Sequence, residues 1–103
     1  MTYTGDADID QMISKCIETI ATKGAEYTIG SSDRLHNFRT VGEFTGIPMA
    51  KVWATYVYKH FAAVMAYVKN GKVQSNEPIE GRIMDVIVYM LLFAKMVREI
   101  EAR

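Results

Sequence analysis

Val86-Ile87-Val88-Tyr89-Met90-Leu91-Leu92-Phe93-Ala94 is the longest apolar run in this chain of 103 residues. A membrane-spanning helix needs about 20 such residues, so a run of nine reads as part of a buried core helix. It is apolar on every side. In a small helical domain one face of such a helix should look at water. A partner subunit covering that face resolves the conflict, so the sequence predicts a homo-oligomer, a homodimer with a helical interface.

Working outward, the helix that holds this run is predicted from near Glu77 and Pro78 to the end of the chain, with Asn76 as its cap. Before it, a helix is predicted from near Pro48 to Asn70, with Gly71 as its stop. Val52, Trp53, Tyr56, Val57, His60, Val64, Tyr67 and Val68 mark its wide apolar face. A shorter helix, Asp33 to Thr45, is capped by Ser32 or Asp33 and closed by Gly46; Leu35, Phe38, Val41 and Phe44 share a face. The first helix spans about Asp8 to Lys23, with Gly24 as its stop. Its stripe is Ile9, Met12, Ile13, Cys16, Ile17 and Ile20, and Asp6, Asp8 and Asp10 gather at its positive end. The fold class is therefore all-α: a compact bundle of about four helices in a single domain, residues 1–103.

Composition narrows the function. Half the residues are hydrophobic and 23% are charged, which fits a globular domain and not a disordered tail. Lys plus Arg equals Asp plus Glu at 12 each, so there is no global basic field for nucleic acid. A local patch would rest on Arg34, Arg39, Lys69 and Lys72 alone. The lone Cys16 forbids an intrachain disulfide and suits a reducing cytoplasm. MTYTGDADID lacks the basic and apolar parts of a secretory signal. Neither a membrane span nor a signal is expected, and the expected location is cytoplasmic.

Polar residues cluster at a few places. Asp6, Asp8 and Asp10 resemble the opening of a calcium loop. Its sixth position, a glycine, is Gln11 here, and its twelfth, an acid, is Ile17. Lys23 to Asn37 gathers Lys23, Glu26, Asp33, Arg34, His36 and Asn37 around turn residues. That is a binding edge or a set of solvated caps. Lys59 and His60 interrupt an apolar helix. His60 is either a satisfied core histidine or a ligand group, and Lys59 either a snorkelling lysine or a phosphate contact. On the last helix, Glu77 and Glu80 precede Arg82, Asp85 and Tyr89. A carboxylate at the start of an apolar run needs a cation, a donor or a metal, and an Arg82–Asp85 pair is the plain structural answer. The seven methionines read as core filler.

Lys23-Gly24-Ala25-Glu26-Tyr27, Asp33 to Arg39, Lys59-His60, and Glu77 to Asp85 with Tyr89 together carry a resemblance over about residues 15–100. They look like small phage-encoded proteins similar to the nucleotide modification associated domain. More distantly they resemble the all-α MazG-like nucleoside triphosphate pyrophosphohydrolases. The resemblance implies a dimerising bundle whose carboxylates hold magnesium against a nucleotide, with water attacking the α–β phosphate link to give a monophosphate and pyrophosphate. It implies catalytic roles for Glu80 and Asp85, metal ligation by Glu26, Asp33 and Asp85, and phosphate or base contacts from Arg34, Asn37, Lys59 and His60. The chain departs from that pattern. It has no Glu-Glu-x-x-Glu, and Arg82 stands three residues before Asp85 where the family has glutamate. Nucleotide binding therefore carries over more readily than hydrolysis. The alternative is a non-catalytic protein–protein interaction module using exposed aromatics such as Tyr56, Tyr58 and Tyr67.

Overall fold

A computed structural model describes residues 4–27, 32–72 and 76–103, the side chains of 23–27 excepted. It has four helices: α1 (Ala7–Tyr27), α2 (His36–Thr45), α3 (Met49–Asn70) and α4 (Ile79–Glu101). Among the described residues there is no strand. The all-α bundle expected from the apolar periodicity is what forms. No helix of the described residues is long and apolar enough to cross a membrane.

The helix ends follow simple chemistry with three departures. Gly46 and Gly71 close α2 and α3 at φ of 74° and 72°, a left-handed conformation that glycine adopts without a Cβ penalty. Pro48 and Pro78 stand extended just outside α3 and α4, so each prescribes where helix begins. Asn76 therefore does not cap α4, because Pro78 holds that place. Gly24 does not stop α1, which runs on to Tyr27. Helix α2 starts three residues later than expected. Asp33 accepts from the Leu35 N–H at 3.0 Å, and its carbonyl accepts from the His36 N–H at 3.1 Å, so residues 33–35 form a turn. At the start of α1, Asp6 accepts from the N–H groups of Asp8 and Ile9, a regular N-terminal cap.

Helices α3 and α4 form the principal pair, with α2 against α3 and α1 against α4. The core sits where α2 meets that pair: Leu35, Phe38, Val52 and Met96 are buried, with Val41, Trp53, Tyr89, Leu92 and Phe93 around them. The Trp53 Nε1–H donates to the Tyr89 carbonyl at 2.7 Å, and the Trp53 and Phe93 ring centres lie 4.4 Å apart. Gly42 packs against the α2–α3 turn: a Cβ there would meet the Ile47 carbonyl oxygen at 2.8 Å. Helix α1 behaves differently from its predicted stripe. Cys16 is buried, but Ile9, Ile13 and Ile17 remain exposed. The physical reason is that α1 rests chiefly on α4, and one contact line buries only one edge of a stripe.

Candidate functional site

A polar seam runs between α3 and α4. His60 on α3 faces Arg82 and Asp85 on α4. Its Nδ1 lies 3.2 Å from Arg82 Nη1 and 3.3 Å from Asp85 Oδ2. Arg82 Nη2 also pairs with Glu77 Oε2 at 3.1 Å. The His60 ring stacks on Tyr89 with centres 5.3 Å apart. The side chains of Arg82 and His60 are only 14% and 17% exposed, so both polar heads are largely withdrawn from water. His60 from α3, Arg82 and Asp85 from α4 and Glu77 from just before it thus meet in one network. Arg82 is bonded to Glu77 and His60, and Asp85 lies beside His60; the Arg82–Asp85 pair expected from spacing does not form.

The other residues named by the sequence lie elsewhere. Glu80 projects on α4 toward Lys15 of α1, with an Nζ–Oε1 distance of 3.5 Å. Lys59 is exposed on α3, and Asn37 is half-buried on α2. Arg34 Nη1 donates to the Ile20 carbonyl at 2.8 Å and so ties the turn before α2 to α1. The side chain of Glu26 lies outside the described residues, as do Gly30 and Ser31. Asp33 belongs to a second network that the sequence did not announce. Arg39 Nε bonds Asp33 Oδ2 at 2.6 Å, and Arg39 Nη2 bonds Glu99 Oε2 at 2.5 Å. Arg103 stands 3.9 Å from Glu99. The Arg39 hydrogen bond holds the Asp33 and Glu99 carboxyls below their ordinary range, and Glu99 and Asp33 together hold the Arg39 proton more tightly. Glu99 sits 60 residues after Arg39, and only folding brings them together. Arg34 and Arg39, two members of the basic patch considered for nucleic acid, are both engaged with the protein itself.

The structure thus joins His60 to Asp85 and separates both from Asp33, Arg34 and Glu80. A magnesium ion needs several hard oxygen ligands around one point. Among the described residues no three His, Cys, Asp or Glu side chains gather in that way. Asp33, Glu80 and Asp85 each face a different basic partner: Arg39, Lys15 and His60. Asp33, Glu80 and Asp85 are thus not gathered around one point, and the side chain of Glu26, the other residue named for a metal, lies outside the described residues.

Much of the exposed helix surface is apolar. A folded monomer of 11.6 kDa is expected to expose about 5,800 Å², whereas this chain exposes 7549 Å². Its radius of gyration is 15.2 Å, against about 13 Å for a domain of this length. Two stripes contribute to the excess. On α3, Tyr58, Phe61, Met65 and Val68 share a face, with Tyr58 69% and Val68 71% exposed. On α4, Ile83, Ile87, Met90 and Leu91 are exposed along another. Sequence reading predicted the second from the all-round apolar character of Val86 to Ala94. It missed the first by counting Val68 with the core face. The exposed members recur at 58, 61, 65 and 68, and that spacing was the available signal. Comparison with protein-family models, curated proteins and solved structures found no match for the chain.

Proposed function

We propose that the protein is a helical interaction module, which works by burying apolar helix faces against another polypeptide. The observation that carries this reading is the surface itself. Large apolar side chains stand exposed at helical spacing on α3 (Tyr58, Phe61, Met65 and Val68) and on α4 (Ile83, Ile87, Met90 and Leu91), the pattern by which helices dock. The chemistry of the polar seam agrees. Its charged groups are engaged with one another, and such pairs hold helices in register. The face of α3 is the recognition surface, with Tyr58 and Phe61 as anchors and Tyr56 and Tyr67 at its margins. The test is retention of a stoichiometric protein from bacterial lysate. Phe61→Glu should abolish it at unchanged helix content, and Asp85→Asn should leave it intact. Equal capture by wild type and Phe61→Glu would overturn the reading.

A second reading is favoured by the withdrawn Arg82 and His60: a nucleotide-handling protein of the MazG-like kind, with Arg82, His60 and the nearby Lys59 as phosphate contacts. Guanidinium and imidazolium groups in a partly desolvated seam suit phosphate oxygens. Here Asp85 positions His60. A panel of nucleoside triphosphates with and without magnesium tests it. Thermal stabilisation by a nucleotide, lost in Arg82→Met, supports it; no shift and no pyrophosphate with any of the panel removes it.

A further inference from the structure

We propose that the exposed face of α4 is an interface between two copies of this chain, packed antiparallel about the midpoint between Ile87 and Leu91. The inference rests on the interaction-module reading and names the occupant of one of its two faces.

At about 100° per residue, Glu80, Ile83, Ile87, Leu91, Ala94 and Arg98 fall on one line along α4. Every one of them is exposed. The line is apolar in the middle, acidic at its first end and basic at its last. Such a stripe is its own complement when a second copy is turned end for end. Glu80 then meets Arg98 of the partner subunit, and Ile87 meets Leu91 of the partner subunit. The two-fold repeats both contacts, as an isologous interface requires. A parallel arrangement would set like charges together at both ends and is disfavoured.

The surface offers a seat for this pairing. An open depression of about 610 Å³ is lined by Leu91, Ala94, Lys95, Arg98 and Glu99. It lies at the basic end of the line. The antiparallel register brings the partner's Ile83 and the partner's Ile87 over it. Ala94 is small enough to let the helices approach, and the aliphatic stem of Lys95 can cover the partner's Ile83. The chain carries no net charge, so two copies meet without overall repulsion. A contact along this line leaves the stripe on α3 free for its own partner.

Sedimentation or light scattering at tens of micromolar decides the matter. The expected mass is twice 11.6 kDa. Ile87→Glu should give a monomer with unchanged helix content, and Phe61→Glu should remain dimeric. Glu80→Arg should weaken the dimer at least about tenfold through like charges facing across the interface. Adding Arg98→Glu to Glu80→Arg should restore it, a rescue that the Lys15–Glu80 contact within one copy would not produce. A monomeric wild type overturns the dimer and leaves the lysate experiment to judge the module. A dimer that survives Ile87→Glu but not Phe61→Glu overturns the assignment to α4. A weakened Glu80→Arg dimer that the second charge reversal does not rescue overturns the antiparallel register.

Discussion

The two ends of the molecule are built differently. Where α2 crosses α3 and α4, side chains from three helices close over Leu35 and Met96, both fully buried, and Arg39 fastens the turn before α2 to the last turns of α4. Where α1 lies against α4, the packing is chiefly between those two helices. Cys16 is buried there, while Ile13, Ile17, Ile83 and Ile87 are left in water. Three elements can enclose a side chain, whereas two can only share an edge. The first end is a finished core and the second is half of one, which is the physical ground for assigning self-association to α4.

That contrast yields an ordered set of outcomes, readable in urea through the single Trp53, whose indole is bonded into the α3–α4 pair. Leu35→Ala and Met96→Ala should each cost about 2–5 kcal/mol, because a fully buried side chain leaves a cavity. Gly42→Ala should cost about 1–3 kcal/mol, since its methyl group would press on the Ile47 carbonyl and the α2–α3 turn must yield. If all three prove neutral, the finished end is not what holds the fold.

Acid should loosen the Arg39 clamp. Asp33 and Glu99 have lowered folded-state values, so the unfolded chain binds more protons as the pH falls. Their contribution is fully present above their ordinary values of 3.8 and 4.5 and is lost as the pH drops through the lower folded ones. The urea midpoint should decline below about pH 4.5, and Arg39→Met should flatten that decline. An equally steep decline in the variant would assign it to other carboxylates.

At the unfinished end the effects should be small. Ile17→Gln should alter monomer stability by no more than about 0.5 kcal/mol, as for other exposed positions. Burial raises the Cys16 thiol above its ordinary range, so its alkylation at pH 8 should be at least about tenfold slower than in urea. Fast labelling of the folded chain would mean that α1 leaves α4 readily.

The helices were legible in the sequence because glycine, proline and apolar spacing act locally. Gly46, Gly71, Pro48 and Pro78 mark their boundaries by backbone geometry alone. The start of α2 was not legible in the same way. Asp33 could cap from its own position or bend the chain into a turn, and its tie to Arg39 goes with the turn. The polar seam was half legible: His60 and Asp85 each stood out as polar groups in apolar runs. Their pairing did not follow, because spacing within one helix cannot choose partners on another. The Arg39–Glu99 bond and the outward turn of the α1 stripe depend on which helices touch, and periodicity within one helix carries no such information.

The placement of His60 Nδ1 between Arg82 and Asp85 has one more consequence. A ring nitrogen offers either a lone pair or a hydrogen, never both. The Arg82 guanidinium can only donate, so its bond needs the lone pair there and sends the ring hydrogen to Nε2. One contact thus ties α3 to α4 and chooses the tautomer of the imidazole.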